Sequence, residues 1–391
     1  MATSTPVAAV LEKSIDRTKA ATKPWSAFRQ ALVFAGALRI FYSILGIIFA
    51  PSLRLNEALI QTNSLTGSLI DRSAHPLLYA VFGVWERFDT LWYIRIARHG
   101  YDSPMATVFY PLYPALIRVL SVITRFDLAS ALLISTISSF FLFWGALRLF
   151  DLDYSRGVSA RAVVLWMAWP ASFTLFAAYP DSLLCALIVW SIYLARSQRW
   201  LPAGCLGLLS GCTKALGCLV ALPLLWLAWK KRSVAGMAAA LMCGAGTACF
   251  QGWFALRHYP STAQTYALFW HTVTVAPWTS LIDAARGLQH GGDFLLILNA
   301  GALVTAGAFA LMNGVRWEYR IFAIAAICLF LTKHTQPLLQ STTRYTLALF
   351  MALPSLASRV GTGLPFALMT LIASAVNLLL FRVFLDWGLV V

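Results

Sequence analysis

The sequence predicts an all-α protein that crosses a membrane many times. Of its 391 residues, 60% are hydrophobic and only 12% are charged, about half the charged share of an ordinary soluble domain. Because lipid offers no water to unpaired backbone groups, only helices or closed barrels can span it. Five charge-free runs have the length of about 20 residues that a spanning helix needs, too long for barrel strands: 129–147, 162–180, 233–256, 294–315 and 360–381.

The net charge of +15 suits a membrane protein whose cationic loops set its orientation, and we expect no nucleic-acid partner. The seven cysteines lie in apolar runs and none forms a CxxC pair, so neither a disulfide framework nor a zinc site is indicated. No HxxxH or HxxE spacing supports another metal site. We therefore predict no cofactor and no dependence on metal.

Residues 1–30 are predicted to form a cytoplasmic tail, and residues 31–391 a single membrane domain. The tail carries lysines and arginines but no apolar core. The first apolar stretch, about 31–53, lacks a small-residue cleavage site and is typical of a retained signal anchor in the cytoplasmic membrane. It would deliver residues 54–128 to the outer side as a large first extracytoplasmic loop.

The orientation of the later helices depends on residues 107–124, which contain two prolines and an arginine. If this segment stays outside, the short basic loops around Arg156, Arg196, Lys230 and Arg316 all face the cytoplasm, as the positive-inside rule requires. If it crosses, all of these loops face outward. We therefore expect 107–124 to lie in or near the outer interface, in a chain with about eleven transmembrane helices.

Several apolar runs are shorter, with 12 to 15 uncharged residues: 182–195, 200–213, 215–229, 321–332 and 345–358. Short spans of this kind usually line a cavity or bury polar groups in protein. In the predicted orientation, Asp181, Lys214 and Arg344 end such runs on the outer side. We expect an outward-facing cavity with these three residues at its floor and the first loop above it.

The segment WERFDTLWYIRIARHGY, residues 85–101, places two carboxylates and three arginines in a chain poor in charge. Read as a helix, 85–99 would put Asp89 on an aromatic face with Trp92 and Tyr93, and Arg87 on the opposite face. A partly desolvated, positioned carboxylate is a good candidate for a general base. An interfacial amphipathic helix would account for the aromatic residues and arginines, though not for the acid. Glu86, one turn earlier, is either the partner of Asp89 or solvated.

Two further motifs end on the outer side. In WPASFTLFAAYPDSLL, Tyr179 precedes Asp181, and Asp181 either serves the site or caps the helix that follows. In SGCTKALG, Lys214 stands at the tip of a hairpin that scarcely spans. Its ammonium either binds a phosphate or reaches past the apolar surface to water.

The segment TKHTQPLLQSTTRY, residues 332–345, offers Lys333, His334, Arg344 and Tyr345 to the same cavity. Arginine is the preferred phosphate clamp because its planar fork binds two oxygens. The segment GYDSPMATVFYPLYP carries Tyr101 and Tyr110. It is either a loop that covers the substrate or an interfacial connector.

The first motif resembles the signature of the GPI mannosyltransferase 2 (PIG-V type) family and its bacterial homologues. Further motifs follow in the same order, and two positions depart from the family pattern while keeping their charge: Asp181 stands where Glu is usual and Lys214 where Arg is usual. The matching residues are Trp85, Arg87, Asp89, Tyr93, Ala97, Gly100, Tyr101, Tyr110, Pro111 and Pro114, then PASF, YPDSL, TKALG and RYTLALF.

This resemblance implies a GT-C fold and an inverting glycosyltransferase. The enzyme would move mannose from a polyprenyl-phosphate-mannose donor to a hydroxyl of a glycan or glycolipid acceptor, on the extracytoplasmic side, with Asp89 as the general base. The substrate-binding residues that we expect are Glu86, Arg87, Tyr101, Tyr110, Tyr179, Asp181, Lys214, His334, Arg344 and Tyr345. The alternatives are a transporter or flippase of lipid-linked sugars, which should show repeated halves, and a non-catalytic subunit that binds lipid.

Overall fold

The computed structural model describes residues 24–57, 60 and 69–388, and helices make up 77% of the structure. It confirms an all-α protein with several apolar helices. Most of the predicted tail and residues 58, 59 and 61–68 of the predicted first loop lie outside the described residues. The last residues assigned to the tail are helical, because the first helix begins at Pro24.

The α-helices of the described part are numbered in chain order: α1 (Pro24–Phe49), α2 (Pro76–Val81), α3 (Asp89–His99), α4 (Leu112–Thr124), α5 (Asp127–Phe150), α6 (Arg156–Ala168), α7 (Asp181–Arg196), α8 (Trp200–Gly211), α9 (Ala221–Lys231), α10 (Val234–Leu256), α11 (Thr262–Phe269), α12 (Pro277–Gln289), α13 (Phe294–Leu311), α14 (Trp317–Leu331), α15 (Thr342–Tyr345), α16 (Leu353–Val360) and α17 (Leu364–Leu385). Two short strands, β1 (Val273–Thr274) and β2 (Lys333–His334), pair antiparallel.

Five segments are long and apolar enough to cross a membrane: Ser26–Ser52, Asp127–Phe150, Val234–Leu256, Phe294–Leu311 and Leu364–Leu385. They correspond to the first apolar stretch and to four of the five predicted charge-free runs. The shorter apolar runs also form separate helical segments, as predicted. They pack among the long helices and form a single extended core with them.

The fifth predicted run, 162–180, is not a continuous helix, and that prediction is wrong. Helix α6 ends at Ala168, and residues 169–180 continue as turns and one 3-10 segment, Ser172–Leu175. Pro170 contributes to the break, because proline lacks the N–H that a helix interior needs and its ring clashes with the preceding turn.

Side chains from α1 and α5 satisfy the carbonyls of this unwound segment. The Ser135 and Ser139 hydroxyls donate to the carbonyls of Tyr179 and Leu175 at 3.0 and 2.8 Å. Arg39, inside α1, donates to the Phe176 carbonyl at 2.6 Å. Irregular backbone within a membrane bundle is tolerated only where protein groups replace the missing hydrogen bonds, and every residue from 171 to 180 is buried.

Helix α4 has 13 residues and so a length of about 20 Å, less than the bilayer core of about 30 Å, as is also true of α6, α8 and α9. One side of α4 packs into the core through Tyr113, whose hydroxyl donates to the Ala131 carbonyl at 2.9 Å. The other side exposes Val119, Val122 and Ile123. That residues 107–124 lie in or near the outer interface stays a prediction.

Glycines allow α8 and α10 to pack closely. A Cβ atom on Gly246 would lie 2.2 Å from the Leu208 carbonyl oxygen, and one on Gly211 would lie 2.8 Å from the Cys243 carbonyl oxygen. Small residues at such crossings let helix backbones approach each other in membrane proteins. The contact fixes the end of α8, which leads into the turn that carries Lys214.

Gly246→Ala should therefore destabilise the protein by about 1–3 kcal/mol, the usual cost of overpacking. Gly244→Ala, on the same helix, is the matched control, because a Cβ atom there would meet nothing within 4 Å. Thermal unfolding of the two purified variants in one detergent measures the difference. Equal melting temperatures would contradict the proposed backbone contact.

Candidate functional site

Four charged side chains meet at one end of the helix bundle. Asp181 accepts a hydrogen bond from Lys214 Nζ at 2.8 Å through one carboxylate oxygen. Its other oxygen lies 2.9 Å from Arg344 Nε and 2.8 Å from Nη2. The Nη1 atom of Arg344 donates to Asp89 Oδ2 at 2.7 Å. The four residues thus form one continuous chain of ion pairs, which we call the ionic cluster.

Both carboxylates of the ionic cluster begin a helix. Asp89 is the first residue of α3 and Asp181 the first residue of α7, and the N-terminus of a helix stabilises negative charge. Lys214 follows α8 in the turn before the 3-10 segment Ala215–Val220. Arg344 lies in the short helix α15, so the cluster joins four separate parts of the chain.

The backbone before Asp89 is strained. Phe88 has φ 45° and ψ −114°, a conformation that costs a residue with a side chain on the order of 1–3 kcal/mol. The Phe88 ring is buried and packs against Trp387, with the ring centroids 5.1 Å apart. Packing at the end of α17 therefore offsets the strain and helps to fix where α3 begins.

The segment that carries Arg344 also contains residues with positive φ and is also held by buried side chains. Leu339 and Ser341 have φ of 56° and 63°. Asn299, buried in α13, accepts hydrogen bonds from the amide and hydroxyl of Thr343 at 2.9 and 2.7 Å. These bonds position the guanidinium of Arg344 from the opposite side of the segment. Its central carbon lies 4.2 Å from the centroid of the Tyr179 ring.

Asp89 is the more exposed of the two carboxylates of the ionic cluster. Its side chain is 27% exposed, whereas Asp181 is 5% exposed; the cations Lys214 and Arg344 are 19% and 3% exposed. Of the two carboxylate oxygens of Asp89, only Oδ2 forms a hydrogen bond with a described residue. The Oδ1 atom of this carboxylate is therefore available to accept a proton or a hydrogen bond from a bound molecule.

Six of the residues expected from the sequence lie together in the structure. Besides the four members of the ionic cluster, they are Tyr179, under the Arg344 guanidinium, and Tyr345, whose ring centroid lies 5.5 Å from Lys214 Nζ. Lys333 and Tyr266 also reach this place, since Lys333 Nζ lies 5.4 Å from the Tyr345 ring centroid and 4.4 Å from that of Tyr266. The sequence argument gave Lys333 to the cavity but not to the substrate-binding residues, and it did not single out Tyr266.

Arg87 and Glu86 do not face the ionic cluster. The predicted helix 85–99 begins only at Asp89, so the expected division of faces is wrong for residues 85–88. Arg87 is 1% exposed, and its guanidinium donates to the carbonyls of Leu385, Gly83 and Glu86 and to the Tyr79 hydroxyl. It ties the first loop to the end of α17.

Glu86 is not paired with Asp89. Its carboxylate accepts a hydrogen bond from the Ile70 amide at 2.9 Å, and burial raises the pKa of Glu86 above its ordinary value. Two further acids of the first loop form ion pairs with arginines of α3. Asp102 lies 3.1 Å from Arg95 and Asp127 lies 2.5 Å from Arg98.

Tyr101, Tyr110 and His334 form hydrogen bonds with residues outside the ionic cluster. The Tyr101 hydroxyl donates to the Phe109 carbonyl at 2.7 Å. The Tyr110 hydroxyl accepts from Gln251 at 3.4 Å, and burial raises its pKa to about 12. His334 Nε2 lies 3.2 Å from Asp283 Oδ2. These contacts tie the segment GYDSPMATVFYPLYP to itself and to α10, and β2 to α12.

The fold and the site define the class of this protein as a helical membrane protein with several spans and a charged site at one end of its bundle. In the part of the chain that the structure describes, no group of three or more His, Cys, Asp and Glu side chains could hold a metal ion. No protein-family model matches the chain, and no curated protein matches its sequence significantly. The resemblance to the mannosyltransferase family therefore stays a prediction.

Asp181→Asn should destabilise the protein by about 3–5 kcal/mol, because it removes the buried carboxylate that pairs with both Lys214 and Arg344. Asp89→Asn should cost about 1 kcal/mol or less, since Asp89 is partly exposed and its partner keeps Asp181. Thermal unfolding of both purified variants tests the difference. A larger loss of stability for Asp89→Asn would contradict the central structural role of Asp181.

Proposed function

We propose that this chain is an inverting glycosyltransferase of the GT-C type. It moves mannose from a polyprenyl-phosphate-mannose donor to a hydroxyl group of a glycan or glycolipid acceptor on the extracytoplasmic side of the cytoplasmic membrane. The observation that carries the proposal is the geometry of Asp89. Its carboxylate is partly exposed and is held 2.7 Å from a buried arginine, and one of its oxygens has no hydrogen bond to a described residue.

In the proposed reaction, Asp89 accepts the proton of the acceptor hydroxyl as the acceptor oxygen attacks the anomeric carbon of the donor sugar. The bond between that carbon and the phosphate oxygen breaks, and its electron pair leaves with the polyprenyl phosphate. Attack opposite the leaving group inverts the anomeric configuration. The transfer therefore needs one base on one face of the sugar and positive charge near the departing phosphate.

The cations of the ionic cluster supply that positive charge. Arg344 and Lys214 both bind Asp181, and Arg344 also binds Asp89. Held groups of this kind stabilise developing charge without reorganising during the reaction. A lipid-linked donor also suits a site inside a helix bundle, because it enters sideways from the bilayer.

The opposite end of the bundle supports the proposed orientation. Helix α7 begins at Asp181 and ends at Arg196, and Arg196 pairs there with Asp153, which also binds Arg316 at 3.2 Å. Lys230 and its basic neighbours end α9. By the positive-inside rule, this basic end faces the cytoplasm, so Asp89 faces outward.

The proposed architecture has eleven spans. The five long helices α1, α5, α10, α13 and α17 would each cross the membrane. Six shorter segments would cross within the bundle: α6, α7, α8, α9, α14 and the stretch from α15 to α16. The segment that contains α4 would remain at the outer interface.

Asp89→Asn should lower the rate of transfer at least about 100-fold, because the variant cannot act as a general base. The assay follows the release of polyprenyl phosphate from a synthetic short-chain polyprenyl-phosphate-mannose by purified protein, with a membrane lipid extract as the source of acceptors. In a parallel reaction GDP-mannose replaces the lipid donor, and we expect that the protein does not transfer mannose from it.

Asp102→Asn is the matched control, since it removes a carboxylate from the same loop that pairs only with Arg95 in the described structure. It should keep the rate of the unsubstituted protein. Equal turnover by Asp89→Asn and the unsubstituted protein would overturn the proposed mechanism. Use of GDP-mannose at the same rate would overturn the lipid-linked donor.

A further inference from the structure

Lys333 lies next to the ionic cluster but has a different environment from its cations. Its ammonium donates to the Tyr266 hydroxyl at 3.2 Å and lies 4.4 Å from the centroid of the same ring. The Tyr345 ring centroid lies 5.4 Å away. No carboxylate of the described residues forms an ion pair with Lys333, and the carboxylate of Asp283 pairs with the adjacent His334.

The Tyr345 ring connects Lys333 to the rest of the site. Lys214 Nζ lies 5.5 Å from its centroid, and Lys333 Nζ lies 5.4 Å from it. Tyr345 also follows Arg344 directly in α15. The three cations Lys214, Lys333 and Arg344 are therefore grouped around one aromatic side chain, although only two of them touch a carboxylate.

The charges of this group do not cancel. Three cations and the two carboxylates of Asp89 and Asp181 leave one positive charge. Burial alone would lower the pKa of the Lys333 ammonium, but Tyr266 and Tyr345 raise it above its ordinary value, so Lys333 is charged at neutral pH. A half-buried charge without an ionic partner is costly unless a bound ion compensates for it.

We propose that Lys333, framed by Tyr266 and Tyr345, binds the phosphodiester of the lipid-linked donor. The single negative charge of a phosphodiester matches the single uncompensated positive charge of the site. In this arrangement Lys214 and Arg344 stay bound to the carboxylates and contribute their charge to the site, and Lys333 is the cation that has no carboxylate partner among the described residues. The assignment rests on the proposed transferase function and adds a residue that determines which donor is bound.

The ligand chemistry also favours lysine in this place. An ammonium is a compact point charge on a flexible stem, and the two tyrosine rings limit its movement while stabilising its charge through cation–π contacts. β2 carries Lys333, and its pairing with β1 places Thr274 opposite. The segment between α10 and α13 thereby helps to position the ammonium.

Lys333→Gln should weaken binding of a synthetic short-chain polyprenyl-phosphate-mannose about 10- to 100-fold, the loss expected for one hydrogen bond to a charged group. Lys333→Arg keeps the charge and should retain most of the binding, which separates loss of charge from a folding defect. Arg286→Gln is the control, because it removes an exposed cation of the neighbouring helix α12. Binding is measured by titration of the full-length protein in lipid nanodiscs.

The possible results separate this inference from the proposed function. Equal binding by Lys333→Gln and the unsubstituted protein would overturn the role of Lys333 and leave the transferase proposal standing. Absence of binding and turnover in the unsubstituted protein would overturn both. A parallel titration with inorganic phosphate should show much weaker binding, and equal affinity for inorganic phosphate would overturn the assignment to a lipid-linked phosphodiester.

Discussion

The carboxylate of Asp181 binds Lys214 and Arg344 at the same time in a place almost closed to solvent, and the arrangement of the site depends on this contact. Buried charges are stable only when each has a close partner of opposite sign. Asp181 satisfies two cations that come from distant parts of the chain, and Arg344 in turn holds Asp89. The position of the one accessible carboxylate is thus set by charges that solvent hardly reaches.

The chain departs from regular helix directly before each of the two carboxylates of the ionic cluster. The unwound residues 169–180 lead directly to Asp181 and are stabilised by Arg39, Ser135 and Ser139. The conformation of Phe88 brings Asp89 to the start of α3. A regular helix through either region would turn these carboxylates to other positions. The protein therefore combines long regular spans with short strained segments near the site.

The sequence predicted that Asp181, Lys214 and Arg344 would meet because charges at the ends of apolar runs must gather on one side of a membrane. It did not predict the role of Arg87, since the periodicity argument assumed a helix that begins four residues too early. The positive φ of Phe88 depends on packing against Trp387, about 300 residues further along the chain, and leaves no local pattern. Lys333 was visible in its motif, but its contacts with Tyr266 and Tyr345 depend on residues from separate parts of the chain.

The hydrogen bond from Arg87 to the Leu385 carbonyl joins residues 298 positions apart, and this has a consequence for biogenesis. A ribosome delivers Arg87 and Asp89 to the membrane long before it makes Leu385 and Arg344. Until the last helices insert, Arg87 lacks the Leu385 carbonyl and Asp89 lacks the Arg344 guanidinium. A chain whose synthesis stops early therefore leaves both charges without contacts that the complete fold supplies.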